Sequence, residues 1–276
     1  MANDMVLSGS TELALDAPLD IFGDATGFEG VDRECIQTPF LKIAQSASDE
    51  TKKQNAAYIS GLEPGMFFCP STRKVYGSDI NVVLTHFDRM FVIYEGTGKE
   101  SKYQGSITSA QFSRDIEPYG VREKSYVIKD GFRYVDTRNF LIIPYDSPYD
   151  GAMMMSLSST GIKPSSKLLT QAMNVVAVKN GVPVKAPIWS SVWNLKTEYF
   201  SDPKGDYFQL AIIERKGWVN KNLAPQVKAL FEEMQDVQVA PASETETHVT
   251  MKDAVPTGNP ASMAKQAAGG ENEEIF

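Results

Sequence analysis

Apolar positions along the chain come mostly in short alternating runs, the pattern of strands rather than helices. Residues 39–43, Pro-Phe-Leu-Lys-Ile, predict a short strand, and Gly65-Met66-Phe67-Phe68 a second. Residues 45–57 are polar and read as loop, and residues 71–77 as a turn bearing basic and aromatic side chains. The strongest strand signal is INVVLTHFDRMFVIY at 80–94, rich in β-branched and aromatic residues and free of Gly and Pro. Its length and its Asp88-Arg89 interruption predict a long bent strand or a tight strand pair. Residues 95–119 are polar, and Gly96, Gly98 and Gly105 favour a loop there. Asp130-Gly131 between two apolar runs predicts a hairpin joining 126–128 to 132–145, because this dipeptide supplies the φ > 0 positions of a two-residue turn. AMMMSLS at 152–158 predicts another strand.

One internal helix is predicted at 163–179. Pro164 suits its first turn, Leu168, Leu169, Ala172, Met173 and Val176 form an apolar stripe, and Asn180-Gly181 marks a stop. Two further strands, 187–200 and 206–218, flank the turn residues Ser201-Asp202-Pro203-Lys204-Gly205. Residues 225–234 predict a short helix. From Val237 the composition collapses to small and polar residues without hydrophobic period, which predicts a disordered tail. The chain therefore divides into an acidic, flexible arm (1–32), a β-rich domain (33–236) and an acidic tail (237–276).

Charge sharpens that division. The net charge of −8 conceals a body, residues 33–230, with 25 basic and 19 acidic side chains, between two ends that each carry −7. A polyanion is repelled by the whole chain yet attracted to the body. The two cysteines, Cys35 and Cys69, and two histidines, His86 and His248, are too few for a disulfide framework and make a zinc site improbable. No metal or other cofactor is expected, and a reducing cytoplasm is the natural setting. The first 32 residues lack Lys and Arg and have no long apolar run, so they do not read as a signal peptide. No stretch approaches the ~20 apolar residues of a membrane span.

Catalytic motifs are missing. There is no phosphate-cradling Gly-rich loop followed by Lys, no Gly-x-Ser-x-Gly and no His-Glu-x-x-His, so the chain reads as non-enzymatic. Asp146 and Asp150, flanking Pro148, fit a solvated turn better than a metal site. The body does interleave aromatic with basic residues, the mixture that single-stranded nucleic acid requires, since bases stack on rings while Lys and Arg follow the phosphates. Candidates for stacking are Tyr94, Tyr134, Trp189, Trp193, Tyr199 and Phe208; candidates for phosphate contact are Arg89, Arg133, Lys196 and Lys216. Strand alternation places Trp189, Trp193 and Tyr199 on one face, which could equally be core. Lys196 falls on the face opposite Trp193.

The chain closes on Gly270-Glu271-Asn272-Glu273-Glu274-Ile275-Phe276. An acidic cluster followed by an apolar pair at the end of a disordered tail resembles the tail of bacterial and phage single-stranded DNA-binding proteins. Met155-Ser156-Leu157-Ser158-Ser159-Thr160-Gly161-Ile162-Lys163-Pro164 and the opening Pro39-Phe40-Leu41-Lys42-Ile43-Ala44-Gln45 are likewise similar to segments of phage replication-region proteins thought to bind single strands. The resemblance covers 38–220 in pattern and 271–276 in motif. It implies a mainly β fold, an OB-fold-like barrel with additional strands, one helix between its third and fourth strands and a disordered tail. It also implies a protein that coats and protects single-stranded DNA in phage replication, recombination and repair, within the host cytoplasm. Glu273, Glu274, Ile275 and Phe276 (within the tip 271–276) would then dock replication, recombination or transcription proteins. A phage virion or structural β-domain protein without nucleic-acid binding is the alternative.

Overall fold

The computed structural model describes residues 38–96, 101–202 and 205–234. The acidic arm, the tail and its tip lie outside the described residues, as do Cys35 and His248.

The fold is mainly β. Among the described residues thirteen strands follow one another: β1 (Lys42–Ile43), β2 (Phe67–Cys69), β3 (Lys74–Gly77), β4 (Asp79–Glu95), β5 (Lys102–Thr108), β6 (Val121–Arg122), β7 (Tyr126–Lys129), β8 (Phe132–Pro144), β9 (Met153–Ser158), β10 (Val176–Lys179), β11 (Val182–Lys185), β12 (Ser191–Asp202) and β13 (Gly205–Trp218). Three helices accompany them: α1 (Ser109–Asp115), α2 (Ile162–Met173) and α3 (Ala224–Met234). Eight strands form one curled half-barrel sheet in the order β13-β12-β4-β8-β7-β6, with β5 added to β4 and β9 to β8.

β4 organises this sheet. Its first half pairs with β12 (Val83 opposite Val192) and its second half with β5 (Met90 opposite Thr108), while β8 runs along its other edge. An irregularity between Leu84 and His86 lies between those two halves. There Val82, Val83, Leu84 and Thr85 are buried in succession, and the Thr85 hydroxyl donates to the Leu141 carbonyl at 3.0 Å. A bulge bends a strand and adds twist, which lets 17 residues curl around a core instead of lying flat.

The inner face carries Val82, Leu84, Phe140, Ile142, Met153, Met155, Trp193, Leu195 and Leu210, and α2 packs against it with Leu168 and Ala172. A second cluster forms where α1 packs against the far half of β4 and β8. Phe112 stacks on Phe91 with ring centroids 3.5 Å apart, beside Tyr134 and Val127. α3 covers another surface, setting Val227 against Val83, Ile143 and Val192.

The small sheet β1-β2-β3 is tied to the main one through its lead-in. Leu41 N–H donates to the Met154 carbonyl at 2.9 Å, and Met154 N–H to the Pro39 carbonyl at 2.7 Å. Residues 39–41 thus run beside β9, and Gln45 reaches β13, where its side chain bonds the main chain of Phe208.

Several expectations change. Residues 95–119, read as loop, contain β5 and α1, the latter opened by a capping box between Thr108 and Gln111. The internal helix ends at Met173 rather than 179. Val176 and Val178 belong instead to a hairpin, β10–β11, whose turn is Asn180-Gly181 with φ of 53° and 78°. Asn-Gly serves hairpin turns as well as helix stops, and alternating valines on both sides of it favour the hairpin. Lys74, Val75 and Tyr76, read as turn, form β3 after a tight turn at Arg73.

Candidate functional site

A cleft of about 260 Å³ opens where the lead-in to β1 lies between β9 and β13. Four half-buried aromatic side chains line it: Phe40, Tyr94, Tyr103 and Phe208. Register brings them together. Tyr94 sits opposite Tyr103 across β4 and β5, with ring centroids 6.4 Å apart in an edge-on arrangement. Phe208 sits opposite Tyr199 across β12 and β13, centroids 5.5 Å apart. Phe208 also rests on Gly65, whose φ is +89° and where a Cβ would lie 2.6 Å from the ring. The rest of the wall mixes polar groups (Gln45, Thr137, Ser156, Ser158, Thr160, Gln209 and the cation of Lys42) with aliphatic ones such as Ile43, Val92, Met155 and Leu210. The Gln209 side-chain oxygen is buried and has no hydrogen-bond partner. Half-buried rings beside hydrogen-bonding side chains suit a flat, hydrogen-bonding ligand.

Arg133 extends this group. Its guanidinium lies over Tyr94 at 5.3 Å and over Tyr126 at 5.4 Å. Tyr126 belongs to a second cleft, of about 480 Å³, between β7 and the start of α2. Arg89, Arg122, Lys124 and Lys163 line it, against Glu123 and Asp136. Arg89 forms a bidentate pair with Asp136 at 3.0 and 2.8 Å, and these bonds raise its pKa further despite partial burial. Arg122 pairs with Glu117 at 2.7 Å. Among the described residues no carboxylate pairs with Lys124 or Lys163.

The residues singled out from the sequence are distributed as follows. Tyr94 and Phe208 line the aromatic cleft. Tyr199 stands beside Phe208 with 55% of its surface exposed, and Arg133 adjoins Tyr94. Arg89 and Tyr134 line the basic cleft, Tyr134 nearly buried against Phe112. Trp193 is core, 2% exposed, because the alternation that carries it also carries Leu195 into the barrel. Trp189 packs with the cluster under α3. Lys196 faces Asp79 at 3.7 Å, and Lys216 bonds Glu214 at 2.7 Å. Neither lysine lines either cleft. Glu273, Glu274, Ile275 and Phe276 lie outside the described residues.

Phe40, Lys42, Gln45, Lys124, Tyr126 and Lys163 join the sites without having been singled out. Tyr103 follows Lys102 directly, one of the basic–aromatic pairs that the sequence interleaves. Asp150 has a structural role: it accepts from Lys74 at 2.9 Å and from the Tyr76 hydroxyl at 3.0 Å. The Asn81 amide donates to Asp146 at 2.8 Å.

The described residues form a curled, mainly β half-barrel with an aromatic cleft beside a basic one. The chain belongs to the family described as Pam3 phage gp34-like protein, whose match spans residues 10–240. No curated protein and no solved structure matches it. Within the described residues no helix is long and apolar enough to cross a membrane.

Proposed function

We propose that this chain is a single-stranded DNA-binding protein, coating and protecting strands during phage replication, recombination and repair. The observation that carries the proposal is the aromatic cleft. Phe40, the paired Tyr94 and Tyr103, and Phe208 converge from three separated parts of the chain onto one groove, with Lys42 and Arg133 beside it. Each base stacked on such a ring contributes about 1–3 kcal/mol without regard to sequence, and the cations follow the phosphates.

Connectivity supports the same reading. Taking β4, β8, β9, β12 and β13 as the five strands of an OB-like barrel, α2 falls between the third and fourth. The first strand pairs with the second and fourth, the second with the third, and the fourth with the fifth. Oligonucleotides bind that fold beside the loops joining strands one to two and four to five. The aromatic cleft is bordered by β5, within the first connection, and by Phe208, just past the second. In this proposal the acidic tip at 271–276 recruits replication, recombination or transcription proteins.

Fluorescence anisotropy with labelled oligo(dT) tests the reading. Micromolar or tighter affinity that falls as salt rises, resists duplex competitor and weakens at least ten-fold in Tyr94→Ala and Tyr103→Ala supports it. No binding, or equal competition by duplex, overturns it.

A structural role in the virion has one observation in its favour. The hairpin β10–β11 exposes Val176, Val178, Val182 and Val184, a surface that assembly would bury. Sedimentation analysis giving a large, DNA-independent homo-oligomer would favour that alternative.

A further inference from the structure

Resting on the proposed function, we infer that the basic cleft at the start of α2 is a phosphate-binding extension of the aromatic cleft, so that one strand occupies both. The two clefts share a wall. Ser158, Thr160 and Gly161 line the aromatic side, whereas Ser159 and Ile162 line the basic side. The wall is the tight turn Ser159–Gly161, in which Ser159 adopts φ of 48°. A second link is the Tyr94–Arg133–Tyr126 stack, whose outer rings belong to one cleft each.

The chemistry of the second cleft fits phosphodiester oxygens better than bases. Lys124 and Lys163 are exposed cations with no carboxylate partner among the described residues, and both line the opening. Beneath it lies Arg138. Among the described residues its guanidinium donates only to neutral oxygens, the Ile162 carbonyl and the hydroxyls of Ser165 and Ser166, and its buried Nε finds no partner. A cation held by neutral groups leaves its charge to be balanced from outside, and Ser166, which it contacts, lines the cleft. Asp136 is neutralised by Arg89, which leaves Glu123 as the acid opposing these groups. A strand whose bases stack on Tyr94 and Tyr103 would cross the Ser159 turn and lay its next phosphates against Lys124 and Lys163.

The test uses the full chain, oligo(dT) of about 4 and about 16 nucleotides (the span of site sizes seen for OB folds) and the double variant Lys124→Ala/Lys163→Ala. The variant should weaken the short strand less than the long one. For the long strand it should weaken binding several-fold at low salt. The slope of log affinity against log salt should become shallower by about 1.4, since each phosphate contact on a single strand accounts for about 0.7. An unchanged long-strand affinity and slope overturns the inference, and so does equal weakening for both lengths. If Tyr94→Ala and Tyr103→Ala still abolish binding in that case, the proposed function survives the loss of this extension. If they too change nothing, the function itself fails.

Discussion

The side-chain amide of Gln45 is paired with the main chain of Phe208, accepting from its N–H at 2.8 Å and donating to its carbonyl at 2.8 Å. A glutamine amide here takes the place of a peptide group in a neighbouring strand. With the bonds of Pro39 and Leu41 to Met154, it spans the gap between β9 and β13, which are not paired with each other, and it holds the backbone that carries an aromatic wall of the cleft.

Gln45→Ala removes both bonds and leaves the Phe208 main-chain groups without that partner. Unsatisfied, partly buried polar groups cost about 1–3 kcal/mol, so the urea midpoint should fall accordingly. If the midpoint is unchanged, the bridge contributes nothing to closure.

Gly65→Ala tests the seat of Phe208. An alanine at φ +89° is strained, and its Cβ meets the ring at 2.6 Å, so the ring or the turn must move. Overpacking of this kind typically costs about 1–3 kcal/mol. Thermal unfolding should shift down, and oligo(dT) affinity should fall with it because Phe208 is displaced. Wild-type values for both would show that the contact yields freely.

Tryptophan emission should respond weakly to DNA. Trp193 is core, Trp189 packs under α3, and Trp218 lies under Arg215 at 4.2 Å, so none lines the aromatic cleft. Tyr94→Trp places a reporter in that cleft, and its emission should be quenched by added oligo(dT). Strong quenching of the natural tryptophans with none of the reporter would put the strand elsewhere.

Alkaline pH should weaken the fold through Tyr76. Its pKa is raised well above the ordinary value of 10, first by burial and then by its hydrogen bond to the Asp150 carboxylate. A raised folded-state pKa means that the folded protein holds a proton which the unfolded chain gives up. Stability from this group is therefore complete below the unfolded value, and it declines as pH rises from about 10 toward the folded value. Unfolding free energies measured between about pH 8 and about pH 11 should show this decline, and Tyr76→Phe should flatten it. An identical slope in the variant would place the alkaline sensitivity elsewhere.

The long strands were legible because local chemistry specifies them. The β-branched run of β4, Asp130-Gly131 before β8, and the turn residues between β12 and β13 each identify their element without tertiary help. Where one signal serves two structures, sequence failed. Asn180-Gly181 ends helices and turns hairpins, and only the valines at 176, 178, 182 and 184 separate the cases. The Thr108-x-x-Gln111 box marked the start of α1 but lay among glycines that favoured a loop. The aromatic cleft was half visible. Tyr94, Phe208, Tyr199 and Arg133 were named from composition, yet their company with Phe40 and Gln45 depends on a crossing of segments more than 160 residues apart. Trp193 was misjudged for a related reason, since alternation tells which residues share a face but not which face is covered.

Each face of the hairpin β10–β11 sets apolar residues beside one lysine: Val176, Val178 and Pro183 with Lys185 on one, Ala177, Val182 and Val184 with Lys179 on the other. Val178 is 73% exposed, and the arm leaves an edge beyond each strand. Its turn makes Lys179 and Val182 the hydrogen-bonded closing pair, so in the next pair, Val178 and Pro183, the proline nitrogen points away from β10. Along β11 the outward donor at that position is therefore missing. An edge that lacks one of its outward donors is a poorer template for another chain. The arm can bury its faces against a partner of fixed shape, but along this side it resists the open-ended, copy-upon-copy growth by which exposed strands seed fibrils.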